Sequence, residues 1–338
     1  MLLLFIILIF NLILLVWITM RTSSLVLSYD RLRVINRHDS EINEQIGLLD
    51  HEPLFVYNPS FLEYEGEKVF LIRISNFSIS RILHSFPYVS HVGMGYWKDE
   101  RIRDFRVLPI EPSLYDLSVP RRHYGLEDGR LFTLHDRLYG IFNYSPGPAL
   151  IQPIVFDMEP PYQRYVFPNY SEREKNWIPF VYYDVLYFQY SLSPFTILEY
   201  DLSQNEVRQR YHSISRMPSH HYHGGVIAQY PIYIPEYEDF FYCGISNVKY
   251  GFSYSQCFYV FRAHPPFHLF AHTPLFRFRP NKSVQFITSL QHQPETGEMV
   301  VGMGMMDDHA ILATIPFDRI CRLLHRVYRS RNDPSMSV

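Results

Sequence analysis

Glu127, Asp128 and Arg130 bring two carboxyl groups and a guanidinium together within the stretch 125–144. A neighbouring cation favours an ionised carboxyl group, whereas burial favours the neutral one. A carboxyl between those influences can serve as general acid or base, an effect typically worth ~10²–10⁴ in rate. The plain alternative is a surface turn with a local ion pair, which contributes little. Arg130 and Lys175 are candidates to contact an anion, one through a planar fork and the other through a mobile point charge. An ion pair to Glu127 or Asp128 explains Arg130 equally well, and solvation at a sheet edge explains Lys175. Trp177 offers a flat face that suits either a sugar ring or a core. His220, His221 and His223 precede Gly224-Gly225, and His221 and His223 share a face if that segment is a strand. With Asp307, Asp308 and His309 they would make a mixed ligand set. The close spacing of zinc sites is absent, so no metal is expected, and His223 is read as lining a ligand mouth. No G-x-S-x-G elbow or phosphate-loop lysine motif occurs. Gly93-Met94-Gly95 lacks the later glycine of a dinucleotide site.

These side chains need a scaffold, and composition points to strands. Of 338 residues, 27 are Tyr and 26 Phe, a load that favours sheet. The net charge of −3 offers no basic field to nucleic acid. Three cysteines do not make a disulfide scaffold, although Cys243 and Cys257 could bridge a hairpin. Residues 131–134 and 138–144 read as a hairpin with His135-Asp136-Arg137 at its tip. Residues 61–64 and 69–74 form another around Glu65-Gly66-Glu67, after a short apolar run at 54–57 and Asn58-Pro59-Ser60. Strand patterns recur as far as Pro316. After them, 317–327 reads as an amphipathic helix through Ile320, Leu323, Leu324 and Val327. The body is therefore expected to be all-β. Its length exceeds one sandwich and fits a propeller of 4–8 four-stranded blades. No internal repeat fixes the blade number.

At the amino terminus, residues 2–20 are apolar apart from Asn11 and Thr19. At 1.5 Å per residue such a helix spans a bilayer core. No small-residue cleavage site marks a removable signal peptide. Residues 1–21 are thus read as a single transmembrane signal anchor and 22–49 as a polar stem. Arg21, Arg31 and Arg33 would hold the downstream side in the cytosol. Sequons at Asn76, Asn143, Asn169 and Asn281 point to the lumen instead.

Five signals occur in order: Asn58-Pro59-Ser60 with Arg73; Glu127-Asp128-Gly129-Arg130; 175–180 (KNWIPF); Gly224-Gly225; and 302–308 before an apolar strand. The ordered set resembles the five-bladed β-propellers of the mannoside phosphorylases (glycoside hydrolase family 130) and the related β-1,2-mannosyltransferases. It covers residues 50–317, with 318–338 left as a C-terminal helix and tail. In those relatives the acidic motif reads Glu-Asp-Pro-Arg and its aspartate transfers the proton. The resemblance gives that role to Asp128 and aligns Glu127 and Arg130. Gly129 replaces the proline, which is expected to loosen the turn. Substrate-binding roles are implied for Asn58, Arg73, Glu127, Arg130, Lys175, Asn176, His223, Asp307 and Asp308, with Asp308 the fallback for proton transfer. One carboxylate suits a phosphorylase or a sugar-nucleotide transferase better than an inverting hydrolase, which uses two. The leading expectation is a membrane-anchored glycosyltransferase in the Golgi or endoplasmic reticulum, with a lumenal catalytic domain. It would move a hexose, mannose, from a sugar nucleotide to a glycan acceptor. The alternatives are a mannoside phosphorylase or hydrolase of the same fold, or a non-catalytic carbohydrate-binding propeller. No cofactor is expected beyond the sugar nucleotide or inorganic phosphate as co-substrate.

Overall fold

The structure, a computed structural model, describes residues 25–35, 39–49, 54–78, 88–98, 101–109, 123–145, 151–167, 174–213, 215, 222–251 and 253–326. The apolar segment 2–20, His220, His221 and Asn169 lie outside these residues. Strands β1 (Leu25–Val26) and β2 (Arg31–Ile35) and helix α1 (Ser40–Ile46) come first. Unit I holds β3 (Phe55–Tyr64), β4 (Glu67–Ser75), β5 (Tyr88–Lys98) and β6 (Arg101–Val107). Unit II holds β7 (His123–Leu134), β8 (Arg137–Tyr144), β9 (Gln152–Asp157) and β10 (Arg164–Val166). In unit III are β11 (Ile178–Tyr182), β12 (Val185–Leu192), β13 (Phe195–Asp201) and β14 (Glu206–Ser213). Unit IV begins with β15 (Tyr222–Ile227), β16 (Ile232–Ile234) and β17 (Asp239–Tyr250). It continues through β18 (Ser253–Arg262), β19 (Leu269–His272) and β20 (Phe276–Arg277). Unit V takes β21 (Gln285–Gln293), β22 (Glu298–Met305) and β23 (His309–Pro316). Helix α2 (Phe317–Cys321) and β24 (His325–Arg326) end the described chain.

Within each unit, neighbouring strands pair antiparallel. The first strands touch in a closed cycle, β3 to β7, β7 to β11, β11 to β15, β15 to β21, and β21 back to β3. That ring of sheets is the arrangement of a β-propeller. Five apolar layers fill the gaps between successive units. The layer between III and IV is rich in aromatic residues, with Phe180, Tyr187, Phe195, Tyr242, Phe261 and Phe267 buried together. Large ring faces bury 150–250 Å² each, which is why this composition holds sheets face to face.

The outer strand of unit V comes from the other end of the chain. β2, within the stretch read as stem, pairs antiparallel with β23, Arg31 opposite Thr314 and Ile35 opposite Ala310. Ile35, with Ile42 and Ile46 of α1, then enters the layer between units V and I.

Several local expectations are corrected. The apolar run 54–57, Asn58-Pro59-Ser60 and residues 61–64 lie almost wholly within a single strand, β3. The helix after Pro316 stops at Cys321, because His325 and Arg326 pair with His272 and Ala271 on the edge of unit IV. Cys243 and Cys257 are both free and buried. Their register partners are Val260 and Ser246, and their side chains enter different layers, so a bridge between them is excluded. Asn76 and Asn143 are buried at 7% and 3% exposure, unfit as glycan acceptors in the folded chain, whereas Asn281 is exposed. Among the described residues no helix is long and apolar enough to cross a membrane.

Candidate active site

The site forms where the inner strands of the ring begin, and a repeated irregularity builds it. β3 slips register between Tyr57 and Ser60, with Asn58 at φ 52°. β7 slips between Glu127 and Arg130, with Asp128 at φ 53°. Asn176, just before β11, has φ 61°. β15 slips between Tyr222 and Gly225, with Gly224 at φ 81°. Asn, Asp and Gly are the residues that accept this left-handed backbone most readily. A bulge re-aims the side chains beside it. N-P-S, E-D-G, K-N-W and H-G-G therefore each place one left-handed residue at an inner strand, accompanied by a register slip in all but K-N-W.

On one side lie carboxylates. Asp128 Oδ1 accepts from Asn58 Nδ2 at 2.6 Å and from Arg73 Nη1 at 3.0 Å. Among the described residues its Oδ2 takes only a long contact, 3.4 Å, from Asn143 Nδ2. Arg73 also donates to Glu127 Oε1 at 2.6 Å and to Ser90 Oγ at 3.0 Å. Burial alone would weaken the Arg73 charge, but Glu127, Tyr57, Asp128 and Asp307 more than offset it. The guanidinium expected to bind substrate is thus the buried counterion of the acidic pair. Asp307, held at φ 53° in the β22–β23 turn, is partly buried. Burial pushes its carboxyl up to about 7; Arg73 opposes this, while Asp128, Glu127 and Asp308 add to it. Asp308 turns instead to pair with His309. Gly129 does not loosen this arrangement. A Cβ there would lie 2.5 Å from both Leu71 Cδ2 and Phe142 Cε1, so close packing fixes the backbone beside Asp128.

The other side is cationic. Arg130, only 2% exposed, donates from Nε to Gly225 O at 2.6 Å, from Nη1 to Asp128 O at 2.9 Å and from Nη2 to Asn176 Oδ1 at 3.5 Å. It joins units II, III and IV, a brace rather than the open anion contact or carboxylate pair expected. Asn143 and Asn176 exchange two bonds of 2.8 Å each and so fix the segment before β11. His223 lies 5.7 Å from the Tyr254 ring and 6.1 Å from Phe286. Lys249 Nζ stands 5.5 Å from the Tyr254 ring centre, and the Arg130 guanidinium 5.8 Å from that of Phe286. Burial, then Lys175, Lys249 and Arg130, drive the His223 imidazole down to about 3. A neutral ring among three cations offers an anion hydrogen bonding as well as positive charge.

Asn58, Arg73, Glu127, Asp128, Arg130, Asn176, His223 and Asp307 therefore converge through bonds or electrostatics, and the exposed Lys175 reaches His223 by charge. Trp177 does not join them. It is 2% exposed, donates to Glu174 Oε2 at 3.1 Å and packs among Phe167, Phe188 and Tyr190. Asn143, Lys249, Tyr254 and Phe286 are site residues that sequence reasoning missed. Asn143 carries the signal of a sequon, which concealed its role; Lys249 carries none. Among the described residues no group of three His, Cys, Asp or Glu side chains could hold a metal ion.

No protein-family model matches the sequence, and no curated protein does. Solved structures do match. A β-1,2-mannobiose phosphorylase from Listeria innocua, in complex with β-1,2-mannobiose, is 12% identical at a TM-score of 0.58, covering 87% of this chain and 99% of that one. A putative glycoside hydrolase from Parabacteroides distasonis is 12% identical at 0.54, covering 79% and 88%. A GH43_1 enzyme from Xanthomonas citri is 10% identical at 0.53, covering 79% and 88%. At such identities the likeness is one of architecture: the chain has the fold shared by propeller mannoside phosphorylases and propeller glycoside hydrolases.

Proposed function

We propose that this protein is a five-bladed β-propeller enzyme acting on mannosides, with inorganic phosphate as its second substrate. One observation carries the reading: a bound carboxylate, Asp128, stands across Arg130 from a neutral histidine among cations. A hydrolase has no need of the cationic side, because water carries no charge to hold. In the degradative direction Asp128 passes a proton to the departing glycosidic oxygen as the bond to the anomeric carbon breaks. A phosphate oxygen forms the new bond at that carbon, giving a sugar 1-phosphate and a free hydroxyl. The protonated carboxyl of Asp307 is available to restore the proton that Asp128 gives up. Asn58 and Arg73 hold Asp128 Oδ1, leaving Oδ2 for the reacting groups. The fold neighbours support this reading over the sugar-nucleotide transferase first expected.

The test is phosphate-dependent release of mannose 1-phosphate from β-1,2-mannobiose and longer mannosides. Absence of release at millimolar phosphate overturns the proposal. The transferase reading keeps one observation in its favour, since the same cations would accept a diphosphate. Transfer from GDP-mannose without phosphate dependence would select it. The apolar length of residues 2–20 supports a bilayer anchor, with the body on the lumenal side of the secretory pathway. Retention in the membrane after alkaline extraction tests the anchor, and glycan addition at the exposed Asn281 tests the side.

A further inference from the structure

The apolar layer between units I and II opens to solvent at the end of the strands remote from Asp128. A cleft of about 370 Å³ lies there. Val69, Met94, Leu138 and Met158, all buried in that layer, form its floor. Tyr64 and Tyr96 stand over the floor, half-buried. The register puts them there, with Val69 opposite both Leu62 and Tyr96, and Tyr64 opposite Glu67. The Tyr64 hydroxyl donates to Glu159 Oε1 at 2.8 Å, which ties unit I to unit II and fixes the shape of the opening. Along β4, Glu67 is six residues from Arg73, about 20 Å in a strand. The cleft is therefore separate from the acids and cations of the candidate active site.

A bulge supplies part of the rim. β6 slips register on β5 between Met94 and Tyr96, with Asp104 at φ 50°. Ile102 and Phe105 enter the layer between units V and I, while Arg103, Asp104 and Arg106 line the cleft. Lys98 joins these bases, and Glu65, Glu67 and Glu159 join the acid; all are exposed. An apolar floor with a few polar groups is the form of small-ligand sites, which span roughly 300–1,000 Å³. A carboxylate only accepts hydrogen bonds and a guanidinium or ammonium only donates them, whereas a hydroxyl does both. A rim with both signs of charge thus suits a ligand rich in hydroxyls and without net charge. An anion would meet the glutamates, and a cation the lysine and arginines. The tyrosine rings offer the apolar face of a sugar its contact. Extended peptides commonly bind by adding to a strand edge, but β6 gives its edge to α1. Phe105 N donates to Glu41 Oε2 at 3.1 Å and Val107 N to Gln45 Oε1 at 3.4 Å.

We propose that the cleft between units I and II is a second carbohydrate-binding site, which holds a neutral glycan segment away from the reacting centre. This rests on the reading above that the protein acts on mannosides. The test titrates the full chain calorimetrically with linear β-1,2-mannohexaose in phosphate-free buffer. Two molecules should bind per chain, and high salt, which screens attraction between charges, should change neither event. Tyr96→Ala should weaken one event by about tenfold or more. The double variant Glu67→Ala, Arg106→Ala, confined to the exposed rim, should weaken the same event. Both variants should release mannose 1-phosphate from β-1,2-mannobiose at the parent rate. A single binding event in the parent overturns the proposal, as do two events unaltered in both variants. Loss of mannobiose turnover in both variants, with circular dichroism unchanged, also overturns it, because the cleft would then serve the reaction itself. Phosphorolysis with one binding event sinks the second site alone. Two binding events without phosphorolysis, one of them lost in Tyr96→Ala, sink the phosphate mechanism and leave this site standing.

Discussion

The two sides of the site are built beside the same backbone device, a left-handed residue near the start of the inner strand in units I to IV, yet have opposite electrostatics. Units I, II and V supply Asn58, Arg73, Glu127, Asp128 and Asp307, where one guanidinium is shared among acids. Units III and IV supply Lys175, His223 and Lys249, where one neutral imidazole is surrounded by cations. Arg130 spans the two, bonded to Asp128 O, Asn176 Oδ1 and Gly225 O. The backbone device recurs with different side chains beside it, and Arg73 of β4, Lys249 of β17 and Asp307 of the β22–β23 turn complete the two sides. A ring of similar sheets can therefore hold a proton-handling group and an anion side by side without a special loop for either.

The sharpest way to break this division is Asp128→Asn. Turnover should fall by ~10²–10⁴ with the fold intact by circular dichroism, the usual scale for losing a proton-transfer group. A loss smaller than tenfold would mean that the proton moves elsewhere. Arg73→Met should leave Glu127 and Asp128 without their buried counterion, costing about 3–5 kcal/mol of stability by denaturant titration. A negligible cost would show the acids to be solvated. On the cationic side, Lys249→Ala should raise the KM for phosphate about tenfold, or ~1.4 kcal/mol, with little change in kcat. An equal loss in kcat would place Lys249 among the acids instead.

Protonation separates the sides further. Asp307 holds its proton below about 7 and releases it above, so activity should decline as pH rises through that value. In Asp307→Asn that limb should disappear. The raised carboxyl also makes folding weaker as pH climbs from the unfolded carboxyl range near ~3.9 towards 7, because the native state keeps the proton longer. The Asn variant should therefore gain in Tm relative to the parent between pH 4 and pH 8. The smallest effect belongs to the opposite side. His223 stays neutral throughout that range, so His223→Gln should leave the shape of the pH profile unaltered. A new or missing limb between pH 5 and 8 would show that the imidazole ionises.

Much of the carboxylate side was legible from sequence, and the repeated bulge explains why. Asn58, Asp128, Asn176 and Gly224 are residue types that tolerate left-handed backbone, so local chemistry and local conformation coincide there. Lys249 had no such marker. It sits in an ordinary strand, and the pairing of β17 with β15, Val248 opposite Tyr222, brings it to His223. The blade number was hidden for a related reason, because β2 pairs with β23 across almost the entire chain and no local periodicity records such a contact. The residues after Pro316 misled in the opposite direction. Ile320, Leu323 and Leu324 are spaced for a long helix, but a short helix and a turn bury Ile320 and Leu324 as well. Trp177 was decided by space: its ring is enclosed and its indole nitrogen is committed to Glu174.

The strand donated by residues 31–35 has a consequence for biosynthesis. It leaves the ribosome before any of the five units, while β23, to which it binds, follows the rest of the ring. Until then unit V lacks its rim, and an uncovered strand edge invites association with other chains. Completion of the ring is thus a late event, and a nascent chain stalled before Pro316 would carry every carboxylate of units I and II on a circle that has not closed.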